Sequence, residues 1–365
     1  MKIKEILKPI IFIAIFLLLL RSVTYIIRTN GQPKDAWTGF YAEKKDSVDI
    51  VMVGASAVFP FYSAPQIYGE TGITCYPLSS GNQNTKAIRY IIEEARKTQP
   101  DVMPVIELRM FLYEDKGVFG NYSFIRGVTD NMKYSLHRIR TIDAVYPEPD
   151  YNYAVEDKLS FYFDIIKYHS NWKTMVLPDQ IRCAFYEKKH PLKGYQFETG
   201  LIPNEAYPID PKIAPQPMSA DQEQVLRDLI AWLKEENLDA LFIVSPFYDV
   251  PQDQAVFRSM GEIIESEGYP FLDMNLCYDE VGTDFATDYY DGDGHVNAMG
   301  SEKVSRYFGE YLKEHYEFTD HRSDPKYASW DKAYALWQEE QQEALGVIEE
   351  KIATGNYDSR EADGN

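Results

Sequence analysis

The stretch VDIVMVGAS, Val48 to Ser56, decides the fold. Its run is apolar and rich in β-branched residues, with no alternation, and it stops at Gly-Ala-Ser. That is the pattern of a strand covered on both faces in a parallel sheet. Working outward, GITCYPL and PDVMPVIEL repeat the pattern, with the helix-like TKAIRYIIEEARKTQ between them. Ile88, Ile91, Ile92 and Ala95 share one face of that helix. Pro104 speaks against a central ladder position for the third run. Regularity returns with SADQEQVLRDLIAWLKEEN, where Ser219 is an N-cap and Leu226, Leu229, Ile230 and Leu233 form an apolar face. LDALFIVSPF, DQAVFRSMGEIIESEG, YPFLDMN and MGSEKVSRYFGEYLKEHY complete a strand, helix, strand, helix series. Strands alternating with helices predict βα units and a mostly parallel sheet, whose ligand-binding groups gather at the carboxyl ends of the strands.

Composition narrows the function. With 57 acidic against 37 basic residues, the net charge of −20 excludes a nucleic-acid surface, which needs clustered Lys and Arg. An apolar share of 45% excludes wholesale disorder. Three cysteines, Cys75, Cys183 and Cys277, are too few and too scattered for a disulfide framework and read as buried thiols.

The first residues stand apart. MKIKEILK is basic, PIIFIAIFLLLL is unbroken apolar sequence, and the apolar character continues past Arg21 to Ile27. A helix from Pro9 to Ile27 measures about 28 Å, close to the hydrocarbon thickness of a bilayer. No small-x-small cleavage site follows Leu20, so residues 1–30 read as an uncleaved transmembrane anchor rather than a signal peptide. Lys2, Lys4 and Lys8 precede the span, which predicts a cytoplasmic N-terminus and an extracytoplasmic domain. Residues 31–47 read as a linker, 48–318 as the α/β domain, and 319–353 as a helical extension. Residues 354–365 read as a disordered tail. Within the domain, residues 109–217 lose strand alternation and are rich in Tyr and Phe. They read as an insertion over the sheet, a lid or a partner surface.

Chemistry points to two places. Ser56 lies at a strand-to-helix turn, where Gly54 and Ala55 leave room for a substrate. It is either a nucleophile or the cap of the next helix. ATDYYDGDGHVNAMGSEK, Ala286 to Lys303, sets Asp291 and Asp293 just before His295. Those acids either hold the imidazole for catalysis, bind a metal, or shape a turn. A serine needs a base, and the base needs an acid that fixes its tautomer. A two-residue separation in extended backbone puts Asp293 on the same side as His295, which favours Asp293 over Asp291. A metal reading leaves Ser56 without a role, and neither a metal nor another cofactor is expected.

Together VDIVMVGAS, YPLSSGNQN, PDVMPVIEL and TDYYDGDGHVNAMGSEK resemble the SGNH (GDSL-like) hydrolase superfamily. The closer likeness is to its membrane-anchored extracytoplasmic members that accompany membrane-bound O-acyltransferases in lipoteichoic acid D-alanylation and exopolysaccharide O-acetylation. The resemblance covers about residues 48–107 and 219–330. It implies a flavodoxin-like three-layer α/β/α sandwich with Ser56 as nucleophile, His295 as base and Asp293 or Asp291 as orienting acid. It also implies a cell-envelope polysaccharide or teichoic-type polymer as substrate and a membrane-bound O-acyltransferase as partner. The sequence departs from the family's blocks in three places, which carries the alternative of a catalytically inactive SGNH-like scaffold that binds a membrane acyltransferase or glycan. Gly-Ala-Ser stands where Gly-Asp-Ser is usual, IELRMF replaces Gly-x-Asn-Asp, and glycine occupies position 292 where the aspartate of Asp-x-x-His belongs. With the block asparagine missing, Gly81, Asn82 and Gln83, with the backbone of Ser56, are the expected oxyanion donors.

Overall fold

The computed structural model describes residues 3–113, 118–147, 157–173, 176–205, 208–247 and 250–358. Its five strands are β1 (Ile50–Val53), β2 (Cys75–Pro77), β3 (Met103–Glu107), β4 (Leu241–Val244) and β5 (Phe271–Asp273). All pair in parallel, in the order β2-β1-β3-β4-β5. Every residue of β1, β3 and β4 is buried, so these runs carry no polar alternation. Pro104 fits a central strand for a geometric reason. The Met103 N–H points to Asp49 O on the β1 side, so position 104 faces β4, where pairing begins only at Val105. The proline therefore removes no ladder bond. The order reverses at β1 and β3, and their carboxyl ends are the natural crevice of the sheet.

Helix α1 (Ile3–Ile27) is the one helix, among the described residues, long and apolar enough to cross a membrane. Residues 31–47 correct the expectation of a linker. They form α2 (Gln32–Tyr41), which puts Ala36, Trp37 and Phe40 in the core with no exposed surface. Their spacing is helical, but Lys34, Asp35 and Thr38 dilute it. Lys34 is itself buried because its ammonium has carbonyl partners. It donates to Tyr25 O (3.1 Å), Arg28 O (3.0 Å) and Gln180 Oε1 (2.8 Å), closing the end of α1.

Helices α3 (Ala64–Thr71) and α4 (Ile88–Arg96) follow β1 and β2. The insertion holds α5 (Tyr122–Thr129), α6 (Leu136–Val145), α7 (Leu159–Tyr162), α8 (Ile165–Tyr168) and α9 (Leu177–Ala184). The rest are α10 (Ala220–Glu235), α11 (Pro251–Ser266), α12 (Tyr278–Val281), α13 (Ala298–His315) and α14 (Ala328–Thr354). Helices α13 and α14 pack on α3, whereas α4 packs on β1 with α10 beside it and α11 lies on β5. The apolar faces read from α4 and α10 are buried, and the Ser219 hydroxyl caps α10 by accepting from the Gln222 N–H. Cys75 and Cys183 are buried, Cys277 is half-buried, and all three are free thiols. At the C-terminus, Asp358 accepts from the Leu201 N–H (2.7 Å) and Lys351 Nζ (2.6 Å). Positions 359–365 of the expected tail lie outside the described residues.

Helix α2 gives a direct test of this architecture. Trp37→Ala is expected to cost about 3–5 kcal/mol, the cost of emptying a large aromatic site in a core. Denaturant unfolding measures it, and a loss too small to resolve would return residues 31–47 to the status of a linker.

Candidate active site

The carboxyl edge of the sheet assembles the site from distant segments. Ser56 follows β1 in a tight turn. It does not cap the next helix, because α3 begins at Ala64 with the Ser63 hydroxyl accepting from the Gln66 N–H. The turn is pinned from β4 by Ser245, whose Oγ donates to Ala57 O (3.0 Å) and meets Tyr62 Oη at 2.9 Å. Gly54 is required here. Its φ is 153°, and a Cβ would lie 2.7 Å from Glu107 Cβ and 2.9 Å from Val58 Cγ2.

His295 arrives from a hairpin. Tyr289 and Val296 form an antiparallel bridge, and the Tyr290 N–H donates to His295 O (2.9 Å). This turn-back sets Asp291 opposite His295 across the loop. His295 Nδ1 lies 2.6 Å from Asp291 Oδ2, and Nε2 lies 2.7 Å from Ser56 Oγ. The other carboxylate oxygen, Oδ1, accepts the N–H groups of His295 (2.9 Å) and Asp293 (3.1 Å). Gly294, at φ 85°, supplies the left-handed step that closes the loop.

The acid that meets the imidazole is therefore Asp291, which corrects the preference for Asp293 drawn from spacing. The period-2 argument assumed extended backbone, whereas the segment folds back between the two residues. Asp293 is exposed, and its carbonyl accepts from Arg109 Nη2 (3.0 Å). Both oxygens of Asp291 are engaged within its own loop, and no group of three or more metal-ligating side chains occurs among the described residues.

Burial alone would raise the Asp291 carboxyl. Its hydrogen bonds from the His295 ring and from the His295 and Asp293 N–H groups outweigh that, and hold it below the usual carboxylate range. The two side chains are 10% and 12% exposed, so the pair is shielded but reachable. Phe61, Phe247 and Tyr290 surround the imidazole, with centroids at 6.3, 5.7 and 5.7 Å.

The expected oxyanion loop behaves differently from its reading. Gln83 is buried, and its Oε1 accepts the Gly54 N–H (3.0 Å), so its amide fixes the serine turn. Gly81 and Asn82 are exposed, Asn82 at φ 49°. The structure thus brings Ser56, His295 and Asp291 together and uses Gln83 as a brace. Sequence reasoning missed two contributors, Glu107 and Arg109, seen only as replacements for a missing block. The Arg109 guanidinium lies 3.6 Å over the Phe247 ring beside the His295 loop. Glu107 is fully buried beneath Gly54. Burial pushes its carboxyl up to about 7, against the pull of Arg109 and of backbone N–H groups at Arg109, Ser245 and Leu108. A buried acidic side chain ending a central strand was the available signal.

No family model, curated protein or solved structure matches the chain.

Glu107 makes stability depend on pH in a known direction. A carboxyl raised in the folded state favours folding fully below its unfolded value, about 4.3. That contribution is lost as pH rises through the folded value near 7. Glu107→Gln is therefore expected to flatten the decline in melting temperature between pH 5 and 8, checked by thermal unfolding across that range. An unchanged slope would show that Glu107 titrates normally.

Proposed function

We propose that this chain is a serine esterase or O-acyltransferase of the SGNH type, carried on one membrane-spanning helix. Its N-terminus is cytoplasmic and its sheet domain extracytoplasmic, and it acts on acyl groups of a cell-envelope glycan or teichoic-type polymer. The observation that carries the reading is the unbroken relay from Ser56 Oγ through the His295 ring to Asp291, at 2.7 and 2.6 Å. The strand order and the helices on both sides of the sheet support a flavodoxin-like three-layer sandwich, with the relay at its switch point. A membrane-bound O-acyltransferase is the proposed partner.

In this reading Asp291 accepts the Nδ1–H, which leaves the Nε2 lone pair facing the serine hydroxyl. Ser56 Oγ attacks the acyl carbonyl carbon as its proton passes to Nε2. The tetrahedral intermediate then collapses, the ester C–O bond breaks, and the leaving alcohol takes the proton from Nε2. An acceptor hydroxyl, or water, next gives its proton to Nε2 and attacks the acyl-serine carbonyl; the acyl–Oγ bond then breaks and Oγ takes the proton back from Nε2, restoring Ser56. The Ser56 N–H has no partner among the described residues and is free to face the oxyanion, and Arg109 adds positive charge nearby. The aromatic wall around His295 limits water, which favours transfer to a bound acceptor over hydrolysis.

A fluorophosphonate probe tests the reading without knowledge of the substrate. The full chain is expected to label at Ser56, and Ser56→Ala and His295→Ala are expected not to. Asp291→Asn should slow labelling by up to about 10⁴-fold through the wrong imidazole tautomer. Asp293→Asn should label near the wild-type rate. Failure of the folded wild-type chain to label would make the domain a non-catalytic scaffold.

A further inference from the structure

The insertion carries an apolar surface that the acyl-transfer reading does not use. Phe163, Ile166, Trp172, Val176, Leu177 and Phe185 are each 49–61% exposed. All lie between residues 163 and 185, on α8, α9 and their flanks, and both helices pack against α1. Phe163 and Ile165 face Leu17, Leu18, Leu20 and Thr24 across a mostly apolar cleft of about 400 Å³. Arg28, just past the end of α1, makes a buried ion pair with Asp164, which Arg138 also engages at 2.9 Å. The contact between insertion and helix is thus fixed.

The length of α1 shows what covers this surface. Its apolar stretch runs from Glu5 to Ile27. From Glu5 to Leu17, where the insertion first flanks it, the helix rises about 18 Å. A bilayer's hydrocarbon core is about 30 Å thick. If the membrane ended where the insertion begins, the span would be too short by more than a third. The missing length lies between Leu17 and Ile27, the part that α8 and α9 accompany.

We infer that residues 163–173 and 176–185 are immersed in the bilayer leaflet on the domain's side, with lipid acyl chains over the exposed apolar residues and in the cleft beside Leu17. The inference rests on α1 crossing a membrane. Lys167, Lys173 and Arg182 are exposed on the same segment of a chain whose net charge is −20. Lys173 Nζ lies 5.9 Å from the Trp172 ring centroid. Tryptophan beside basic side chains that extend toward headgroups is the composition of a membrane interface. The sheet's carboxyl edge lies close by, since Gln32 Nε2, just past α1, donates to Ser79 O (3.2 Å) in the loop after β2.

The full chain in phosphatidylcholine–phosphatidylglycerol vesicles with brominated acyl chains tests this. Trp37, Trp232, Trp330 and Trp337 are at most 6% exposed, so the difference between wild type and Trp172→Phe isolates Trp172 emission. Phe12→Trp in the Trp172→Phe background reports the span, at a position 71% exposed. Trp172 is expected to lose most of its emission to bromines near the headgroup and to be shielded from aqueous iodide. The residue-12 reporter should respond most to deep bromines. Quenching at residue 12 with Trp172 open to iodide would overturn the immersion and leave the span standing. No quenching at either would overturn the span and the immersion with it. Shielding of Trp172 that appears only at high protein-to-lipid ratio, without bromine quenching, would assign the surface to another protein copy instead.

Discussion

Glu107 sits directly beneath Gly54, and that contact sets how β1 and β3 part at the carboxyl edge. Any side chain at position 54 would collide with the glutamate, and the backbone there takes a conformation that favours glycine. Beyond it β1 lifts into the turn that presents Ser56. The same carboxyl accepts the Arg109 N–H, 3.2 Å from either oxygen, a donor that the end of β3 would otherwise leave unpaired. Ser245 then binds Ala57 O. A buried acid ending β3 and a serine just past β4 thus hold the serine turn together, and the hydroxyl is held for the imidazole by packing rather than by its own reach.

Much of the sheet was legible because parallel strands are monotonous. VDIVMV and LFIV leave no second reading once helices separate them, and in MPVIE only Pro104 pulled toward an edge position. The faces of α4 and α10 were legible through Ile88, Ile91, Leu226 and Leu233, which recur at helical spacing. Helix α2 was not, because its three core residues share a short segment with charged ones. One of those, Lys34, is buried only because of carbonyls contributed by Tyr25 and Arg28. That compensation is tertiary and leaves no local trace.

The candidate site divides the same way. Ser56 and His295 were visible as chemistry at sheet edges. The choice of Asp291 was not, since it depends on the Tyr289–Val296 bridge and on Asn204, whose Nδ2 donates to Asp291 O from the far end of the insertion at 3.0 Å. Gln83 was read as a donor to a ligand, yet its amide serves Gly54. A polar loop residue near a catalytic edge has two customers, the ligand and the neighbouring backbone, and sequence alone does not rank them.

The joint between α1 and the domain has a mechanical consequence. Lys34 closes the helix end, and Arg28 and Asp164 lock it sideways. A tethered enzyme on a slack stalk sweeps a hemisphere and searches for its target by swivelling. This joint has no slack, so in a bilayer the serine keeps one bearing and one standoff height. Encounter then becomes a two-dimensional matter. In the proposed reading the acyl donor and acceptor must then drift laterally to Ser56, and a polymer strand lying above that fixed height is out of range however abundant it is.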